Sequence, residues 1–227
     1  MAAASDLQAV LPTLAARFEQ QTGVSVRLTL GSSGNFFSQL QNGAPFDVFL
    51  SADLDYPERL IAAGLGLRDS LYAYATGRIV VWARKDTGLD LRRGLQALTD
   101  PRVRRIAIAN PAHAPYGRAA VAALRHERLY DAVKSQFVLG ENISQTAQFV
   151  QSGNAEAGIL ALSLALAPAL KRSGVYIEIP ATFHPPIRQG AVVLTASRHQ
   201  ASARQFLEFM KRPDIAQLLR DSGFGAP

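Results

Sequence analysis

The sequence predicts an α/β fold of two lobes, and three observations carry that prediction. Short apolar strands alternate with amphipathic helices along the whole chain, which implies sheets of mainly parallel strands flanked by helices. Two turn-rich stretches, Thr76-Gly77 and Pro185 to Gly190, look like crossings between lobes. The segment between them carries its own strand–helix pattern. The expected division is residues 1–76 with 190–227 in one lobe and 77–189 in the other, with a ligand cleft between them.

The elements follow from local pattern. Leu7, Val10, Leu11, Leu14 and Phe18 share one helical face, so Asp6 to Gln21 reads as an amphipathic helix kinked or limited by Pro12. Ser5 and Gln8 have the spacing of a capping box at its start. After Gly23, the alternation of Val24, Val26, Leu28 and Leu30 predicts a half-buried strand. GSSGN (31–35) leads to a short helix, FDVFLSA (46–52) is a buried strand, and Pro57 to Ala63 is a helix stopped by Gly64. LYAYAT (71–76) and RIVVWAR (78–84) are strand-like, as is RRIAIAN (104–110). A helix is expected from Gly117 to His126, a strand at 135–140, a turn at ENISQ and a helix from Thr146 to Ser152. AGILAL (157–162) is a buried strand feeding a helix that ends near Ser173-Gly174. Strands at 175–179 and 190–196 flank a Pro-rich crossover, and two helices broken at Pro213 finish the chain.

Composition removes several function classes. The 227 residues are 48% hydrophobic and 19% charged, as in ordinary globular chains. No cysteine is present, which excludes disulfides, thiolate metal sites and thiol nucleophiles. The four His residues have no metal-ligand spacing. The longest apolar run, Ala157 to Leu170, is too short to span a bilayer. The net charge of +6 is dispersed, densest at Arg102, Arg104 and Arg105, and lacks the aromatic interleaving of a nucleic-acid face. No nucleophile elbow, phosphate-binding loop or dinucleotide fingerprint occurs. His113 reads as structural, and the acidic SADLD (51–55) as capping for the next helix. The chain reaches its first helix without a signal peptide, which suits either a cytosolic protein or a mature secreted chain with Met1 added.

What remains is four loops of small and polar residues: AAASD (2–6), GSSGN (31–35), NPAHAPYG (110–117) and GENISQ (140–145). Each precedes a helix, where backbone N–H groups lack intrahelical acceptors and favour anions. Taken singly, Ser5 is a helix cap, GSSG a turn, Tyr116 a packed aromatic, and Asn142 or Ser144 a cap. The set of four, spread over both lobes, points to an anion site.

With AAASDL, GSSG, QNGAPFDVFLSAD, NPAHAPYG, LGENISQ, SGNAEAGILALS and PIRQGAVVL in order, the chain resembles the periplasmic molybdate-binding proteins of ABC importers. These are a branch of the type II periplasmic binding proteins, and the resemblance covers nearly the whole sequence. It implies a non-enzymatic, monomeric periplasmic receptor without a cofactor. Such a receptor holds molybdate or tungstate through uncharged donors and delivers it to a membrane permease. Carried over by position, Ser5 gives a hydroxyl and a backbone N–H, and Ser33, with Ser32 as its neighbouring alternative, gives the second hydroxyl. Tyr116 and Ile143 give backbone N–H groups, and the metal of the anion is held only through its oxygens. Three departures stand out. Ala161 occupies the position from which some members donate a Tyr hydroxyl. Asp6 stands where others have Asn, and is expected to turn away from the anion. Only Met1 to Ala4 remains of the first strand. The alternatives are a receptor for another anion, such as sulfate or a small organic acid, and a cytosolic sensor or enzyme domain on the same fold.

Overall fold

A computed structural model describes residues 1–227. The first stretch contains β1 (Ala2–Ala4), α1 (Leu11–Thr22), β2 (Thr29–Gly31), α2 (Ser33–Gln41), β3 (Val48–Ser51), α3 (Asp55–Ala62) and β4 (Tyr72–Gly77). The middle stretch contains β5 (Ile79–Arg84), β6 (Ile106–Ala109), α4 (Pro115–His126), α5 (Tyr130–Val133), β7 (Phe137–Gly140), α6 (Ile143–Gln151), β8 (Ala157–Ala161), α7 (Leu162–Ala165), α8 (Pro168–Ser173) and β9 (Gly174–Glu178). The chain ends with β10 (Ile187–Val193), α9 (Gln200–Met210) and α10 (Pro213–Asp221). It divides into two compact units, Met1–Gly77 with Arg188–Pro227, and Arg78–Ile187.

Each unit is built on one five-stranded sheet. In the first the order is β2-β1-β3-β10-β4, with β1 parallel to β2 and β3, and β10 antiparallel to β3. In the second the order is β7-β6-β8-β5-β9, with β6 parallel to β7 and β8, and β5 antiparallel to β8 and β9. The sheets are therefore mixed, and the parallel part of each is a core of three strands. In both, the antiparallel neighbour of that core is a strand that follows a crossing between units.

The helical start of the chain differs from its sequence reading. Ser5–Leu7 is a separate 3-10 turn, and α1 begins only at Leu11. Pro12 consequently occupies the first turn of α1, where its missing N–H costs nothing, and it produces no kink. The residue flanking the short turn is Ala4, without a side-chain cap, and the backbone N–H of Gln8 donates to Ser5 O at 3.2 Å to close the 3-10 turn. The apolar face was nevertheless correctly read, since Leu7, Val10, Leu11, Leu14 and Phe18 all enter one buried cluster. There Phe18 meets Phe206 and Phe209 edge-on at ring separations of 5.2 and 5.5 Å.

Other differences are at boundaries. Of the strand expected over Val24 to Leu30, only Thr29–Gly31 makes a ladder, because β1 opposes it only at Ala2–Ala4. The α4 and α6 helices start at Pro115 and Ile143, earlier than expected, so most of ENISQ is helical. Pro168 splits the helix after β8 in two. No helix is long and apolar enough to cross a membrane.

The edge-on contacts of Phe18 predict that Phe18→Ala lowers stability by about 3–5 kcal/mol, from lost transfer energy and a residual cavity. Urea unfolding measures this directly, and a loss below about 1 kcal/mol would show that the cluster does not depend on this ring.

Candidate functional site

Three parallel strands side by side place their following loops on one edge of a sheet. In the first unit the pairing Ala4↔Gly31 puts Ser5 next to Ser32, and Ala3↔Leu50 brings the end of β3 alongside. Ser5, Ser32 and Ser33 are all buried. Ser32 is the residue before α2 but its side chain does not cap that helix. Ser33 is the first residue of α2, and its Oγ accepts the backbone N–H of Ala52 at 2.9 Å. A hydroxyl that accepts in this way keeps its own proton to donate elsewhere. The loop after β3 is fixed in turn, since Ser51 Oγ both accepts from Asp53 N (3.1 Å) and donates to Asp53 O (2.7 Å). Asp53 closes the start of α3 by accepting the Asp55 N–H at 3.1 Å, a local role that accounts for the acidic SADLD stretch.

Asp6 lies fully buried beside these serines, and its carboxylate accepts a 2.6 Å hydrogen bond from Gln189 Nε2, a residue equally buried on β10. Tyr74 is buried nearby and donates to Ser51 O at 3.2 Å. Burial pushes its phenol well above the usual range, and the charge of Asp6 adds to that shift. Sequence reading identified Asp6 but missed Gln189 and Tyr74. Gln189 stands at the end of the Pro-rich crossover, where its residue type gives no local signal of a buried partner.

The second unit repeats the arrangement. Ala109↔Gly140 places the loops after β6 and β7 together, and Asn110 N donates to Gly140 O at 2.8 Å. Tyr116 is the second residue of α4 and Ile143 the first of α6, both buried. Asn142 caps α6, its Oδ1 accepting from Ser144 N and Gln145 N at 3.0 Å each. That bond pair takes the second and third N–H groups of the helix and not the first, which is Ile143's. Ala161 ends β8 with its methyl fully buried, so no hydroxyl comes from this position. His113 Nε2 lies 3.8 Å from Glu141 Oε1, a contact between the two neighbouring loops.

Glycines explain how these helix starts come so close to the strand ends. A Cβ on Gly117 would stand 2.1 Å from Ala109 O, and one on Gly140 would stand 2.4 Å from Thr146 Oγ1. Both are steric requirements for packing the first turn of a helix directly on the end of a strand.

The densest basic residues are engaged by neighbouring carboxylates. Asp100 holds Arg102 and has its own carboxyl drawn far below the usual range by that guanidinium, while Glu156 accepts the backbone N–H groups of Arg104 and Arg105. No group of three or more His, Asp or Glu residues is placed to hold a metal ion.

A scaffold with uncharged donors at the carboxyl ends of parallel strands, repeated in two units, is that of a solute-binding protein. Residues 1–225 match the bacterial extracellular solute-binding proteins, and the chain belongs to that family. It is 37% identical over 225 residues to the molybdate-binding protein ModA of Azotobacter vinelandii, covering 99% of this chain and 88% of the relative. Identity to the molybdate-binding protein ModA of Rhodobacter capsulatus is 34% over 211 residues, covering 93% and 81%. Among solved structures, the periplasmic molybdate-binding protein of Azotobacter vinelandii superposes with a TM-score of 0.93 at 35% identity, covering 100% of this chain and 98% of that one.

The close approach at Gly117 predicts that Gly117→Ala destabilises the protein by about 1–3 kcal/mol. Replacing Asn142 by Ala removes the α6 cap and should cost about 1 kcal/mol. Thermal melts of the two variants test both, and a wild-type melting temperature for Gly117→Ala would contradict the packing described.

Proposed function

We propose that this protein binds molybdate, and tungstate in the same way, as the receptor component of an ABC importer. The observation that carries the reading is the placement of neutral donors in a chain 37% identical, over 99% of its length, to a molybdate-binding protein. Ser5 and Ser33 follow parallel strands of one unit, and Tyr116 and Ile143 open helices after parallel strands of the other. In this reading the two hydroxyls and the backbone N–H groups of Ser5, Tyr116 and Ile143 donate to the anion's oxygens, with Ser32 adjacent.

The chemistry of those donors suits the ligand. A fully deprotonated tetrahedral dianion offers only acceptors, so a set of N–H and O–H groups satisfies it without any acceptor on the protein side. A protonated anion such as monohydrogen phosphate would leave its own O–H facing donors, at the cost of an unpaired group. Partial positive charge at the first turns of α4 and α6 adds to the attraction without a buried cation. Ala161 supplies no hydroxyl, so coordination rests more heavily on backbone groups. The same reading places the protein in the periplasm as a monomer, without a cofactor or catalytic step, and gives it a membrane permease as partner.

Calorimetric titration with molybdate, tungstate, sulfate and phosphate tests the proposal. Heats from molybdate and tungstate are expected, and binding of sulfate or phosphate with no molybdate heat would reject it. Ser5→Ala and Ser33→Ala should each weaken molybdate binding by about 1–3 kcal/mol, the cost of leaving an anion oxygen unpaired. Unchanged affinity in both variants would move the site elsewhere.

A further inference from the structure

Resting on that reading, we propose that Gln189 is a positioning residue for the anion donors, acting through its hydrogen bond to Asp6. Gln189 is the second residue of the first unit after the chain returns from the second, since that crossing falls between Ile187 and Arg188. Three consecutive residues there grip the donor loops. Arg188 O accepts the Leu54 N–H at 2.8 Å, on the loop after β3. Gln189 Nε2 donates to Asp6 Oδ2 at 2.6 Å, on the turn that begins with Ser5. Gly190 pairs with Ser51, and a Cβ on it would stand 2.3 Å from Leu54 Cδ1.

The loop after β3 is in turn the one whose Ala52 N–H holds Ser33 Oγ. Tyr74 ties the same loop from β4 through Ser51 O. The start of β10 is thus connected to both donor serines, to one through Asp6 and to the other through the β3 loop. The Asp6–Gln189 bond joins residues 183 positions apart, with both side chains fully buried. A buried bond between a carboxylate and an amide is short and directional, and removing either side chain removes that bond from a site closed to water. Donor hydroxyls must be held to a fraction of an ångström to bind an anion well, which gives such a support a measurable effect on affinity.

Molybdate titrations of five variants of the full chain, alongside their ligand-free melting temperatures, test the inference. Gln189→Ala and Asp6→Ala should each weaken binding by about tenfold or more. Asp6→Asn, whose amide oxygen can still accept from Gln189, should bind at least about fivefold more tightly than Asp6→Ala. Gln189→Glu places two carboxyl groups together and should weaken binding by about tenfold. Combining it with Asp6→Asn reverses the polarity of the bond and should recover at least about fivefold. A lowered melting temperature with wild-type affinity in Gln189→Ala would overturn the inference, as would a double variant that binds no better than Gln189→Glu. Should Gln189→Ala fail to fold, equal affinity of Asp6→Asn and Asp6→Ala would overturn it as well. If the unmodified protein gives no molybdate heat, the functional reading itself fails; if it binds and the variants follow wild type, only this inference fails.

Discussion

Three alanines hold the first sheet together. β1 is only Ala2–Ala4, yet it is hydrogen-bonded on both edges, to β2 and to β3. Ala2 faces the cluster of Phe36, Phe37 and Phe49, and Ala3 faces that of Leu7, Leu11 and Leu14. A central strand with small side chains lets apolar residues on both faces close over it, and period-two alternation sends its neighbours to opposite sides. Because the strand is parallel to both partners, the chain leaves all three at the same edge. That single constraint puts Ser5, Ser32, Ser33 and Ala52 in one neighbourhood.

The second unit meets the same constraint with a different sequence. Its order, β7-β6-β8-β5-β9, repeats β2-β1-β3-β10-β4 position for position. In each, the first strand of the parallel trio lies in the middle, and the fourth place is taken by the strand that follows a crossing. The second sheet comes from one continuous stretch, Arg78–Ile187, whereas the first is completed only when β10 returns after the second crossing. β5 and β10 are the strands on which each unit depends for its antiparallel half. This is why polar residues at the start of β10 can support loops that arise near the chain's beginning.

Much of this was legible in the sequence, because burial leaves a period. The face Leu7–Phe18 named core residues correctly even though the helix begins later, since a 3-10 turn and an α-helix both bring residues three or four apart to one side. The alternation from Val24 to Leu30 is also real: these side chains alternate between exposed and half-buried in the structure. It failed as a strand prediction because a ladder needs a partner strand of equal length, and periodicity carries no information about the partner. The serine loops were legible through their residue types and order. The Asp6–Gln189 pair was not, since a contact across 183 residues is fixed by topology and leaves no local trace.

The glycines under α4 and α6 have a consequence for how such a protein can change over time. If the donors of the second unit are backbone N–H groups, the side chains of Tyr116 and Ile143 are chemically replaceable, and drift at those positions leaves the ligand unaffected. The constraint is displaced onto Gly117 and Gly140, which admit no side chain where helix start meets strand end. A lineage of such receptors would then be recognised by its glycines in one half and by its hydroxyls in the other, two different records of the same task.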